Sequence, residues 1–468
     1  MTKRILSIML VVISVAVILS GCDVLTFNSP ENLVRPPKLS GSDGELQDAF
    51  EKAVSEKGEF ILKYPSSGKY KSAFVRNDCD GDGADEAFVF YSLKTEEMSI
   101  YMHILDYADG EWVSVGDIIG EGNDIYSIEF GDLNSDSVQE LLVGWSSIDS
   151  KANKKLGIYH TDKTKEKIDY KVLAMESYTS MFAYDVDSDG NQEILISLIT
   201  STSDTYTTEA KLLKLQESDG VNQVVMTGQV SLYSGVTSIN NITTGLSGGR
   251  RYIYIDEAAG DSYLTELLYW DNQQKALVSA LMVDAISIVN CPTSRSLPLI
   301  CTDVDNDGEL EIPVTKMMKD SSIVFSAENT KNDVASVASE TESVYITSWK
   351  KFDEGKFTAV ESYIENTYDS FRFAYDEELM SNWSVRIFAD EGISEFFILE
   401  ESENPEETAQ TVRLFSITKK EKTNSENEIV IASDNVYTFT CEITEKGEEL
   451  GIDVQKIKDM FSVLETEE

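Results

Sequence analysis

The sequence predicts a mainly β fold assembled from repeated four-stranded units and followed by a smaller C-terminal α+β domain. Three observations predict it. One acidic nine-residue pattern occurs four times, beginning at Asp78, Asp132, Asp185 and Asp303. Each copy lies between short apolar runs of strand length, such as Ser72 to Val75 before the first and Ala87 to Tyr91 after it. The copies also recur at a near-constant interval: Asp78 to Asp132 is 54 residues, Asp132 to Asp185 is 53, and Asp185 to Asp303 is 118, about two periods. Repeats of roughly 40 to 50 residues with four strands each are how β-propellers read in sequence. About five blades fit the chain.

The loops come first in the argument because their chemistry is the most specific. They read Asp78-Cys79-Asp80-Gly81-Asp82-Gly83-Ala84-Asp85-Glu86, Asp132-Leu133-Asn134-Ser135-Asp136-Ser137-Val138-Gln139-Glu140, Asp185-Val186-Asp187-Ser188-Asp189-Gly190-Asn191-Gln192-Glu193 and Asp303-Val304-Asp305-Asn306-Asp307-Gly308-Glu309-Leu310-Glu311. Side-chain oxygens fall at positions 1, 3, 5 and 9. A hard cation such as calcium, which takes six to eight oxygens, needs that density of ligands in one tight loop. An EF-hand begins the same way but requires a bidentate Glu at position 12 and a following helix. Position 12 here is Val89, Val143, Ile196 or Val314, and apolar, mostly β-favouring residues follow. Each loop is therefore expected to join two strands.

Strand, acidic loop with its last ligand at position 9, then strand resembles the FG-GAP repeats of integrin α-chains and the VCBS repeats. The resemblance covers residues 70–365, closely in the loops and loosely between them. It implies four-stranded blades in which each loop joins the first two strands, and up to four structural calcium ions. It implies side-chain ligands at Asp78, Asp80, Asp82 and Glu86, with the Ala84 carbonyl as a fifth oxygen. The corresponding sets are Asp132, Asn134, Asp136, Val138 and Glu140; Asp185, Asp187, Asp189, Asn191 and Glu193; and Asp303, Asp305, Asp307, Glu309 and Glu311. The second loop departs by carrying Ser137 where the others have Gly, a costlier residue in a left-handed turn.

The double interval before Asp303 calls for a blade without a metal loop. Gly235 to Thr243, Arg251 to Asp256, Tyr263 to Trp270 and Ala276 to Val283 supply four strand-like runs there. Asp109-Gly110 and Glu354-Gly355 between apolar and aromatic residues are hairpin signals in the second halves of their blades. Residues 42–69 hold a helix and a lead-in strand: Leu46, Phe50 and Val54 recur at helical spacing behind a capping Ser42 or Asp43. After residue 365 the strand-like runs lack the acidic loop, and Val454 to Leu464 close with a helical period. Residues 366–468 thus read as a separate α+β domain, the alternative being a sixth and seventh blade.

The amino terminus carries an address. Lys3-Arg4, the apolar run Ile5 to Leu19 and Leu19-Ser20-Gly21-Cys22 form a signal too short to span a membrane. The last four residues look like a bacterial lipobox, which makes 1–21 a lipoprotein signal peptide, Cys22 the lipidated residue and 22–41 a tether. The expected location is the outer face of the bacterial cytoplasmic membrane. The formal charge is −44, and losing Lys3 and Arg4 takes it to −46. Fifteen of the acidic side chains are loop ligands, and four divalent ions would return eight charges. A surface this acidic argues against nucleic acid as a partner.

Cys291 and Cys301 are the one cysteine pair close in sequence, readable as an extracellular disulfide or as two packed thiols. Catalysis finds little footing. His103 and His160, the only histidines, sit in strand-like sequence and read as structural. Gly245-Leu246-Ser247-Gly248-Gly249 matches the nucleophile-elbow pattern, but no helix and no later histidine follow it; a glycine-rich turn is expected. The chain reads as a non-enzyme, a lipid-anchored binding or scaffold protein for a protein or glycan partner. The alternative is a carbohydrate-active lyase or hydrolase on a propeller scaffold, with Trp145, Trp270 and Trp349 as a sugar platform or as blade packing.

Overall fold

A computed structural model gives the architecture, describing residues 42–147, 150–161, 169–203, 205–281, 291–325, 341–400, 409–422 and 428–464. The expected signal peptide, the lipidation site Cys22 and the tether lie outside the described residues. Among the described residues strand dominates, arranged in six sheets that are antiparallel except for one strand pair. No described helix is long and apolar enough to cross a membrane. The chain divides into two compact units, one from Met1–Lys63, Ser72–Asp78 and Gly83–Ile119, the other from Tyr64–Lys71, Cys79–Asp82 and Gly120–Glu468.

The first unit is one sheet under one helix. Helix α1 (Ser42–Val54) has Asp43 and Glu45 in its first turn and Lys52 in its last, charges that suit the helix dipole. Leu46, Phe50 and Val54 are buried, as their spacing predicts. Strands β1 (Phe60–Leu62) and β2 (Phe74–Asn77) both pair with β3 (Glu86–Leu93), and β4 (Glu96–Ala108) and β5 (Glu111–Ile119) complete the sheet. Alternate residues of β3, Ala87, Val89, Tyr91 and Leu93, meet the apolar stripe of α1. The β4–β5 turn places Asp109 at φ 53° and Gly110 at φ 87°, the left-handed pair that a two-residue hairpin requires.

The second unit begins with three four-stranded meanders: β6 (Asp124–Gly131) to β9 (Tyr170–Tyr178), β10 (Ser180–Tyr184) to β13 (Val221–Ser231), and β14 (Ser238–Ser247) to β17 (Ala276–Ser279). The last of these is a four-stranded sheet in the interval where a unit without an acidic loop is expected. Strand alternation builds the core between sheets. Ile194 and Ile196 of β11 (Glu193–Ser201) turn to Leu142, Ile158 and Tyr178 of the preceding sheet. Leu195 between them turns the other way, to Ile253, Ile255 and Leu268. In β15 (Arg250–Ala259), Tyr252 and Tyr254 then face Ile312 and Phe352 of the next sheet.

That next sheet runs Ile312–Met317, Tyr345–Asp353, Lys356–Asn366, Phe371–Ala374 and Phe461–Val463. The expected strand before the fourth loop reduces to one bridge, Thr302 with Glu311. Phe371–Ala374 lies beyond residue 365 yet pairs with Lys356–Asn366. A final seven-stranded sheet packs on this one, Val385, Phe396 and Phe415 meeting Ile364, Phe371 and Phe373. The helical period expected from Val454 to Leu464 is corrected: the helix stops at Met460 and Phe461–Val463 is strand. Backbone pairing with Phe371–Phe373 and the rings of Phe371 and Phe439, 5.0 and 5.1 Å from Phe461, outweigh the local periodicity.

Candidate metal centre

Each acidic loop ends where a sheet begins. Asn77, Gly131 and Tyr184 close the strands before their loops, and Glu86, Glu140 and Glu193 open the strands after them. The turn is made by left-handed residues at positions 4 and 6: Gly81 and Gly83, Ser135 and Ser137, Ser188 and Gly190, Asn306 and Gly308 all have positive φ. Ser137 adopts φ 67° despite its side chain. The loop's own backbone then aims the acids. In all four loops the first Asp accepts the N–H of residue 6, over 2.9 to 3.1 Å. In the second, third and fourth, Oε2 of the ninth-position Glu accepts the N–H of residue 2 at 2.9 Å.

That last bond leaves Oε1 of a fully buried glutamate for a second partner. In the first, third and fourth loops the carboxylates converge. One oxygen each from Asp78, Asp80 and Glu86, from Asp185, Asp187 and Glu193, and from Asp303, Asp305 and Glu311 lies within 4.8 Å of the other two. Three acids this close, one of them buried, form a site that can hold a metal ion, since like charges at that distance repel unless a cation offsets them. Glu311 Oε1 is buried and accepts no hydrogen bond. Asn134 Oδ1, at position 3 of the second loop, is likewise buried without a donor.

The strand opposite contributes what the loop pattern does not contain. Lys214 Nζ on β12 (Tyr206–Ser218) lies 2.9 Å from Asp187, 2.5 Å from Asp189 and 2.8 Å from Glu193. Lys351 repeats the arrangement in the fourth loop, bonded to Asp307 and 3.4 and 3.7 Å from Asp305 and Glu311. Burial works against the Lys214 ammonium, but its three carboxylates outweigh it and raise its pKa. Burial raises the pKa of Glu193 and Glu311. In the second loop His160 Nδ1 takes Glu140 Oε1 at 2.7 Å, and the carboxylates do not gather as in the other three. These lysines and His160 carry no loop motif; only the register beside the ninth position points to them.

The remaining candidates resolve into packing. His103 Nδ1 bonds Asp117 at 2.6 Å and its Nε2 bonds Ser114 at 3.1 Å. Asp117 is also held by Lys57 and by Tyr91 Oη at 3.1 Å, and Ser114 lies inside a strand rather than on an elbow. These are the contacts of a satisfied buried histidine. His160 completes its bonding with Asn222 at 2.8 Å. Gly248 and Gly249 form the expected turn, with φ 57° and 76°. Trp145 and Trp349 are buried and donate to Tyr159 and Tyr363, both at 2.9 Å; Trp270 is half-buried. Cys291 and Cys301 are both free, one beside Thr293 and the other beside Asp256. No family model and no curated protein matches the chain.

Proposed function

We propose that this chain is a calcium-stapled β-propeller of about five blades, similar to the FG-GAP and VCBS repeat proteins, that serves as a binding or scaffold protein at the bacterial cell envelope. The convergence of three carboxylates in each of three loops is the observation that carries the reading. All-oxygen ligands at this density suit calcium better than a metal preferring nitrogen or sulfur. Lipidation at Cys22 would hold the protein on the outer face of the cytoplasmic membrane, where extracellular calcium modules bind at ~10⁻⁴ to 10⁻³ M.

The ions act on the fold rather than on a substrate. An ion present at ten times its dissociation constant adds about 1.4 kcal/mol per site, because it binds the folded loop and not the unfolded chain. Chelation with EDTA should therefore lower the melting temperature of the full chain in detergent, and added calcium should restore it. An unchanged melting curve would sink the structural-calcium reading. Recovery of a specific protein or glycan on the immobilised chain from the producing envelope tests the binding role.

A further inference from the structure

A groove beside the third loop gathers a second kind of chemistry. Val186 and Ser188 of that loop, the residues following the Gly248-Gly249 turn, and Tyr269 to Gln273 enclose about 550 Å³. The turn explains what projects there. Two left-handed glycines make a tight hairpin, and the next residues, Arg250 and Arg251, are exposed on the groove wall. The Arg250 guanidinium lies 4.5 Å from the centre of the Tyr269 ring, and that of Arg251 lies 5.7 Å from Tyr184. Stacking of this kind positions a guanidinium while leaving its N–H fork available.

The chain has 83 acidic residues against 39 basic ones; Arg76, Arg295, Arg372 and Arg413 each have a carboxylate partner, while Arg386 lies over the Phe397 ring without one among the described residues. Among the described residues neither Arg250 nor Arg251 has one within 4.0 Å. The acid of the groove, Asp271, is taken up by the N–H groups of Gln273 and Gln274 at 2.8 and 3.0 Å and by the Gln274 amide. Two adjacent guanidiniums, neither with a carboxylate within 4.0 Å, are thus held in a groove of an acidic protein, and the Arg250 charge also acts on Asp271 across it.

We propose that this groove binds an acidic saccharide chain, its uronate carboxylates taken by Arg250 and Arg251 and its sugar rings by the aromatic and amide wall. A guanidinium fork matches a carboxylate in two parallel hydrogen bonds. Tyr269 and Trp270 give the wall aromatic surface for sugar C–H groups, and Asn272, Gln273 and Ser188 offer donors and acceptors to hydroxyls. A peptide would need apolar sockets for its side chains, and Val186 is the single aliphatic residue in the wall. The proposal deepens the binding reading above and rests on it.

Calorimetric titration of the full chain, in calcium, with a galacturonic acid hexamer and with its methyl ester tests the groove. The acid form should bind, weaken as salt is raised, and exceed the ester by at least tenfold. The double variant Arg250→Gln, Arg251→Gln should lose at least tenfold in affinity while keeping its melting temperature and its response to EDTA. Equal binding of acid and ester, wild-type affinity in the double variant, or no binding of the hexamer overturns the proposal. Tighter binding of poly-glutamate than of the hexamer also overturns it, in favour of an acidic peptide. Melting and envelope capture are read separately, so failure of the hexamer alone leaves the calcium-stapled scaffold standing.

Discussion

Lys214 shows how one residue outside a motif changes what the motif does. Its ammonium already neutralises part of the third loop, and an arriving cation must displace or tolerate it. Lys214→Met should therefore tighten calcium binding at that loop by roughly fivefold, about 1 kcal/mol of relieved repulsion; unchanged or weaker binding in a chelator-competition titration would contradict this. A second prediction concerns Glu257 and Glu266, both fully buried in the third four-stranded meander. Burial pushes Glu266 up to about 8, and burial together with the neighbouring Glu266 pushes Glu257 well above the usual carboxyl range. Between pH about 4.5 and 8 the folded chain holds protons that the unfolded chain has released, so this pair costs stability as pH rises. Glu266→Gln should raise the melting temperature by a few degrees at pH 8 and less at pH 5. A variant whose gain is the same at both would show that the pair does not titrate in this range.

Elements were legible where local chemistry and burial agreed. The stripe of Leu46, Phe50 and Val54 predicts α1, and the Asp-Gly and Glu-Gly turns predict their hairpins, because backbone conformation there is set by a few adjacent residues. The C-terminal end was not, since Val454 to Leu464 keeps a helical period through residues that leave the helix to pair with Phe371–Phe373. Gly392 illustrates the same dependence on neighbours. Its φ is 66°, and an added Cβ would sit 2.8 Å from the Lys419 carbonyl oxygen on the adjoining strand. Gly392→Ala should cost more than about 1 kcal/mol in denaturant unfolding, whereas Gly220→Ala, also at positive φ but with open space around it, should cost less.

At the scale of the whole molecule, alternation along a strand links neighbouring meanders. Ile194 and Leu195 are neighbours in sequence yet belong to different hydrophobic clusters, so strand β11 serves the sheets on both of its faces. Charge acts at this scale as well. Most of the −44 formal charge lies outside the loops, so divalent ions in the loops would offset only a part of it. Loss of calcium on chelation should be felt as a lower melting temperature of the chain, and least at high salt, where repulsion is screened.

The β class and the four acidic loops with their order of acids were legible in the sequence by itself, because each depends on residues within a turn or two of one another. The strand that leaves the last helix, the lysines set into two of the loops, the histidine that claims Glu140 and the pair of exposed arginines beside Tyr269 and Tyr184 were decided by tertiary structure. Each depends on which residue a neighbouring strand or hairpin brings within a few ångströms, and pairing register and packing are properties of the folded chain rather than of any one segment.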